Sequence, residues 1–304
     1  MSATDLNPRF PPELEYLIFE MAYTNTESSA QTDILNLILV AKRVYEWLRP
    51  FLFRVLEIHV IHEDDLYFRP WLASLEDVGK FVRHLFVHSS NVEGTKRILG
   101  RCTNAHNVAL WWDSTWIDSV TKPEGLGLLQ THTAIKTLST EAEYLGLSNL
   151  PVGAYPHLTH LDILNTEHRS WEYWSPLSTL PSLSHLALTS PIVGNHAKQL
   201  LGLCKKLQML IIFNDPDKED LLDIQDPRLL MIYDYHYSEG VSDFHAVMRS
   251  KPGLWEFADR LRHARKYDFF RERGNRDFSR TIDWLEELTE EGTQWYKGLK
   301  KKMD

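Results

Sequence analysis

The chain has 304 residues, of which 43% are hydrophobic and 25% charged, and a formal net charge of −9. This composition is typical of a soluble globular protein and excludes a low-complexity or fibrous chain. The negative charge disfavours nucleic acid and acidic membrane surfaces as partners, and two cysteines are too few for a disulfide scaffold or a cysteine-rich metal site.

The sequence carries no signal for secretion or membrane insertion. It has no basic-then-apolar leader and no N-x-[ST] sequon, and Asp33 and Asn36 interrupt the most apolar stretch before it reaches membrane-spanning length. We therefore expect a cytoplasmic or nuclear protein whose Cys102 and Cys204 are reduced.

The segment FPPELEYLIFEMAY, residues 10–23, predicts a first helix with two apolar stripes. Prolines at its start and Glu13 and Glu15 in its first turn are typical of a helix N-terminus. One stripe has the spacing of a core-facing surface and comprises Leu14, Leu17, Ile18, Met21 and Ala22. The other lies on roughly the opposite side and comprises Tyr16, Phe19 and Tyr23. The second stripe therefore needs a cover of its own.

A second helix is predicted after the polar loop 24–31. Thr32 or Asp33 suits its N-cap, and the apolar pattern continues to about Arg49, where Pro50 is expected to end it. Apolar residues cover about half of its circumference, again more than one core contact requires.

From residue 53 a repeat of short strands replaces the helical pattern. Eight segments share an apolar-x-apolar centre, and their inward-pointing frame residues are 20 to 30 positions apart, close to the leucine-rich-repeat period of about 20 to 29. These frame residues are Leu56, Leu85, Val108, Leu138, Leu161, Leu186, Leu210 and Leu230. Stacked units of a strand and a return segment bury one continuous core, so the pattern predicts a curved solenoid with a parallel sheet.

A doubly wound α/β domain is the alternative to the solenoid. It requires crossover helices of ten or more residues in most units, whereas several return segments here are too short or are broken by proline. Clear return helices are predicted only at 92–99 and 196–203. The spacing therefore favours the solenoid.

The repeat stops after Tyr237, and helices are predicted at 243–248, 254–270 and 281–298. These are expected to close the exposed edge of the sheet. The basic run 261–276 suits either a nucleic-acid arm or a solvated helix face, and its interleaved acidic and apolar residues favour the helix face. The predicted fold is thus α/β, with N-terminal helices (1–52), a leucine-rich-repeat-like solenoid (53–240) and a C-terminal helical cap (241–304).

Strand alternation predicts which side chains face solvent on the sheet. The candidates for substrate contact on this face are Phe86, Trp111, His160, Asp162, His185, Phe213 and Tyr233. In the last strand this assignment places Leu229, Met231 and Tyr233 outward. Loops after the strands add Trp112, Trp116, Trp171 and Trp174. Aromatic residues at an accessible rim are typical anchors of a protein-binding patch, and packing inside long loops is the alternative.

Motifs for catalysis are missing from the sequence. It contains no G-x-S-x-G elbow, GxxxxGK loop or H-E-x-x-H helix. The acidic run 215–220 resembles the start of a calcium loop, but Pro216 and the lack of a turn glycine argue against one. His160 and His185 occupy equivalent places on neighbouring strands with Asp162 nearby, so a metal or pH-sensitive site is the alternative to a solvent-facing slot of the repeat. We expect no catalytic residue, no cofactor and no metal, and hence no enzyme.

The N-terminal segment resembles the F-box or F-box-like motif, especially its fungal form. The resemblance lies in Pro11-Pro12-Glu13-Leu14 with Ile18-Phe19, in Leu37-Ile38-Leu39-Val40-Ala41-Lys42-Arg43, and in the segment from Trp47 to Leu56. It covers about residues 10–56. The repeats that follow resemble those of F-box proteins with leucine-rich repeats, although the consensus asparagine is absent.

This resemblance implies a substrate receptor of an SCF-type (Skp–cullin–F-box) E3 ubiquitin ligase. Such a receptor binds a Skp-type adaptor, and through it a cullin, by its F-box and holds a protein substrate by its repeats. Carried over by position, the adaptor contacts are Pro12, Leu14, Ile18, Phe19, Val40, Val44 and Trp47. The alternative keeps the solenoid as an interaction scaffold without a ligase, its N-terminal helices packing only on the first repeat.

Overall fold

The computed structural model describes residues 10–24, 36–60, 74–89, 92–111, 129, 132–147, 150–151, 153–164, 170–189, 194–213, 221, 223–233, 242–244, 253–271, 277–279 and 284–303. Its strands are β1 (Val55–Val60), β2 (His84–Ser89), β3 (Asn107–Trp111), β4 (Thr137–Glu141), β5 (His160–Leu164), β6 (His185–Thr189), β7 (Met209–Phe213), β8 (Leu229–Tyr233) and β9 (Asp277–Ser279). Its α-helices are α1 (Pro12–Thr24), α2 (Lys42–Leu52), α3 (Val92–Arg101), α4 (Ala142–Leu145), α5 (Trp171–Trp174), α6 (Gly194–Leu203), α7 (Leu254–Lys266) and α8 (Glu290–Met303). Short 3₁₀ turns occupy Gly79–Phe81, Ser175–Thr179 and Trp284–Glu287.

The nine strands form one sheet in which every neighbouring pair is parallel and the spatial order follows the chain order. A doubly wound sheet reverses its strand order at a switch point, and this sheet does not. Return helices α3 and α6 lie where the sequence predicts them. The fold is therefore an α/β solenoid with an open parallel sheet.

One face of the sheet, here called the core face, carries the frame residues. Leu161 pairs in register with Leu186, and Leu186 with Leu210, so equivalent apolar side chains stack from repeat to repeat. Frame residues from Leu85 to Leu210 are fully buried in one cluster with the return segments. Cys102 and Cys204 lie in the same cluster and form no disulfide.

The last repeat corrects the predicted frame by one residue. Leu210 pairs with Leu229, and it is Leu229 and Met231 that join the core-face cluster, whereas Leu230 and Ile232 point to the other side. A shift of one residue exchanges the two faces of a strand. Polar and apolar residues do not alternate in Leu229–Tyr233, because both faces of this strand are buried. The sequence therefore could not show which residues face the core.

The second predicted helix is wrong in its limits. Residues 36–38 form a helical turn, the backbone is extended at Ala41, and α2 begins only at Lys42. Pro50 does not end α2, which continues to Leu52. Near a helix end a proline costs little beyond one hydrogen bond, so Pro50 is tolerated there.

The C-terminal segment covers the sheet in a way that the sequence did not predict. β9 adds a ninth strand at the edge beside β8, while α7 packs on the face of the sheet opposite the core face, here called the outer face. Arg265 donates a 2.6 Å hydrogen bond to the backbone oxygen of Leu229, and α7 ends before Asp268, whose φ of 59° is left-handed. Among the described residues, no helix is long and apolar enough to cross a bilayer.

Candidate functional site

Helix α1 packs on α2 through the stripe that carries Tyr16, not through the one predicted to face the core. The Tyr16 and Trp47 rings meet edge to face with centroids 6.0 Å apart. Beside them, the Arg43 guanidinium donates two hydrogen bonds, of 2.8 and 3.1 Å, to the Glu15 carboxylate. The prediction that Leu14 and its neighbours face a core is therefore wrong, because the partners on α2 lie on the other side of α1.

The stripe comprising Leu14, Leu17, Ile18 and Met21, here called the exposed stripe, has no cover from α2. These four side chains are between 48% and 60% exposed. Leu39 and Val40, in the turn before α2, are more exposed still. Eight of the ten large apolar side chains that are exposed in the described ranges lie between residues 10 and 45. Such a concentration of exposed apolar surface is typical of a protein-interaction site.

The residues predicted to contact an adaptor divide into two groups in the structure. Those exposed to solvent are Pro12, Leu14, Ile18 and Val40. Those partly or fully covered are Phe19, Val44 and Trp47. Val44 is 1% exposed, and Trp47 supports α1 through Tyr16. Trp47 thus joins α2 to α1, and Val44 is a buried residue of α2.

The outer face of the sheet is not open to solvent in its later repeats. Ala187, Met209 and Ile211 are fully buried against α7, which contacts them through Leu254, Ala258, Leu261 and Ala264. Two alanines in this helix surface let the backbone approach the sheet closely. The alternation of β6 and β7 was predicted correctly, but the exposure of their outer face was not, because the C-terminal helix lies on it.

His160 and His185 lie side by side on the outer face, as their equivalent strand positions predict. Their rings stack with centroids 4.2 Å apart and planes 10° from parallel, and Trp255 of α7 meets both edges. Burial and the neighbouring His185 lower the pKa of His160 to about 4, against an opposing effect of Asp259. Nε2 of His185 is 3.6 Å from the Asp259 carboxylate, just beyond hydrogen-bond length. The pair forms part of the contact between α7 and the sheet.

A hydrogen-bonded chain crosses three strands beside this pair. The indole N–H of Trp111 donates to Ser139 Oγ at 3.0 Å, and the Ser139 hydroxyl donates to Oδ2 of Asp162 at 2.8 Å. Oδ1 of Asp162 is buried without a hydrogen-bond partner. Burial raises the pKa of Asp162 to about 7, against the hydrogen bond from Ser139 and with help from nearby Asp243. A carboxyl in this setting is stabilised in its protonated form.

The other residues predicted to bind substrate are mostly inside the protein. Phe86 and Trp111 are buried with Phe244, and Phe213 is buried with α7. Trp174 is buried on the solenoid core, and Trp171 packs partly against it. Trp112 and Trp116 lie outside the described residues, and Tyr233 is the last residue of β8. For the described loop tryptophans, packing inside the protein is what the structure shows.

The described residues offer little chemistry for catalysis. No group of three or more His, Cys, Asp or Glu in the described ranges is placed to hold a metal ion. Burial raises the pKa of the Cys102 thiol to about 12 and that of Cys204 to about 11, so neither is a reactive thiolate.

The sequence did not predict which C-terminal residues pack on the outer face of the sheet. Chief among them are Phe244, Trp255 and Ala258. Met209, Ile211 and Phe213 make the outer face of β7 entirely apolar, and the helical spacing of Leu254, Ala258 and Leu261 matches it. Together, these two patterns could have predicted the contact between α7 and β7. Comparison with protein-family models and with curated proteins finds no match for this chain.

Proposed function

We propose that the chain is the substrate-recognition subunit of an SCF-type E3 ubiquitin ligase. In this proposal the N-terminal helices bind a Skp-type adaptor, which links the chain to a cullin, and the solenoid binds a protein substrate. The observation that carries the proposal is the exposed stripe on α1, in the segment whose sequence resembles the F-box. The chain itself has no catalytic step, since it raises the local concentration of a substrate lysine near enzymes held by its partners.

Burial of the exposed stripe contributes favourable free energy to such a contact. Complete burial of a Leu, Ile or Met side chain contributes about 1.5–3 kcal/mol, so covering four half-exposed ones contributes roughly 3–6 kcal/mol before the costs of association. Leu17, Met21 and Leu39 join the predicted contact residues for this reason. Trp47 is assigned instead to the support of the helix pair, because its ring packs on Tyr16.

The proposal is tested with purified full-length chain and a Skp-type adaptor in a titration. Leu17→Asp with Ile18→Asp places two charges on the exposed stripe and is expected to weaken adaptor binding by at least about 100-fold. The matched control is Leu203→Asp with Tyr267→Asp, because these side chains are 49% and 52% exposed and lie far along the chain. The control is expected to bind within about twofold of the wild type.

Thermal unfolding checks that both double variants remain folded, since all four side chains are already half in water. Adaptor affinity that is unchanged in the stripe variant rejects the exposed stripe as the docking surface. A wild-type chain that binds no adaptor rejects the ligase proposal and favours the interaction scaffold.

A further inference from the structure

The residue directly before each strand occupies an equivalent place at the start of every repeat. In the first four strands these residues are Arg54, Arg83, His106 and Lys136, here called the strand-start row. The backbone oxygen of Arg54 accepts hydrogen bonds from the N–H groups of Arg83 and His84, and the same double contact recurs at Arg83 and His106. Neighbouring members are therefore one strand spacing apart, about 4.8 Å.

The strand-start row is a concentration of positive charge on an acidic protein. Arg54, Arg83 and Lys136 are exposed, and within the described ranges none of them forms an ion pair. Arg83 donates a long hydrogen bond, of 3.3 Å, to the backbone oxygen of Asn104, which does not neutralise its charge. Like charges at this spacing repel one another. A negatively charged ligand would relieve this repulsion, so the row favours binding of such a ligand.

His106 of the row and His84 next to it in the chain both lie in this positive field. Burial, followed by the charges of Lys136, Arg83 and Arg54, lowers the pKa of His106, against a backbone contact from Asn104. Burial, followed by His106 and Arg54, lowers the pKa of His84 to about 4. No carboxylate is among the charges that act on either ring, so the cations are not neutralised from within the described chain.

A polar groove continues the row into the later repeats. Thr159 takes the next place after Lys136, and its N–H donates to the backbone oxygen of Lys136 at 2.8 Å. The groove is lined by Leu207 and by six polar or charged residues, Thr159, Ser182, Ser184, Lys205, Lys206 and Gln208. Its two lysines are exposed, so positive charge lies at both ends of one continuous band.

We propose that this band binds an extended acidic segment of a partner protein. From Arg54 to Gln208 it spans six strand spacings, roughly 29 Å, which matches about nine residues of extended chain at 3.3 Å each. Arg and Lys pair with carboxylates by charge-assisted hydrogen bonds, and clusters of them are a recurring device for acidic motifs. The net charge of −9 disfavours nucleic acid, which carries more charge per length than an acidic peptide.

The inference rests on the proposed function only in naming this partner as the ligase substrate. The band lies on the repeats and shares no residue with the exposed stripe on α1, so its binding is measured without the adaptor. A failure here leaves the adaptor contact untouched, and the reverse is also true.

The test uses the full-length chain and a fluorescent nine-residue peptide with alternating glutamates, followed by fluorescence polarisation. Arg83→Gln with Lys136→Gln is expected to weaken binding at least about tenfold. The control Arg97→Gln with Lys198→Gln removes the same charge from exposed sites on α3 and α6 and is expected to change affinity less than about twofold. In the wild type the affinity falls as salt rises, and the NMR-measured pKa of His106 rises on binding.

Three results overturn the inference. In the first, the wild type fails to bind the glutamate peptide at low salt. In the second, the two double variants weaken binding equally, which assigns the effect to net charge. In the third, a nine-nucleotide thymidine oligomer binds more tightly than the peptide and is lost in the Arg83 and Lys136 variant, which assigns the band to nucleic acid. Adaptor binding measured on the same preparations separates each of these from a failure of the proposed function.

Discussion

Asp162 shows how one residue changes meaning between sequence and structure. By strand alternation it belongs to a solvent-facing row, yet it is 6% exposed, bonded to Ser139 through one oxygen only. Burial raises its pKa from 3.8 to about 7. The folded chain therefore holds this proton at pH values where the unfolded chain has lost it.

This raised pKa predicts the pH dependence of an Asp162→Asn variant. The stability that the protonated carboxyl contributes is fully present below about pH 4 and is lost as the pH rises through about 7. Asparagine has the same shape and no charge, so the variant is expected to gain stability relative to the wild type between pH 5 and pH 8. Thermal unfolding at these two pH values measures the gain, which we expect to be a few degrees.

The exposed carboxyl of Asp223 provides the control for losing one negative charge, through Asp223→Asn. A difference between Asp162→Asn and the wild type that is the same at both pH values would contradict the protonated state of this carboxyl.

Among the secondary-structure elements, α7 covers the outer face of the sheet in its later repeats, so that part of the face is closed to partners. The sequence indicated a helix at this place, which is confirmed. It did not indicate that this helix covers the sheet, since periodicity shows that a face is apolar without naming its partner. For the same reason the helical wheel of α1 gave two apolar stripes, and the one assigned to the core by its spacing is not the one that meets α2.

The docking of α7 predicts a large effect for Leu261→Ala. Leu261 is fully buried between the helix and the sheet, and truncating such a leucine costs about 2–5 kcal/mol in unfolding free energy. Lys266→Ala, at an exposed place on the same helix, is expected to cost under about 1 kcal/mol. Urea unfolding followed by circular dichroism compares the two, and equal costs would show that α7 does not rest on the sheet.

On the scale of the whole molecule, the repeat was the part of the fold that the sequence predicted best. A stacked core demands equivalent side chains at a fixed period, and Leu85, Leu161 and Leu210 meet that demand. The prediction failed at the last repeat, because a strand buried on both faces has no alternation, and at β9, whose three residues are too short for any pattern.

The candidate sites follow the same logic at this scale. The predicted substrate residues of the later strands lie on the part of the outer face that α7 covers, whereas the exposed stripe of α1 is at least 48% open to solvent. Arg54, Arg83 and Lys136 are exposed at the strand starts and form no ion pair within the described ranges. The exposed stripe and the band along the strand starts are therefore the surfaces of the described chain that we propose for partners.

The proposed binding of a Skp-type adaptor by the N-terminal helices is decided by native mass spectrometry of the purified chain mixed with that adaptor. We expect one species whose mass is the adaptor mass added to the 35.5 kDa of the chain, in a one-to-one ratio. Spectra in which the folded chain and the adaptor appear only as separate species, at concentrations well above micromolar, would contradict it.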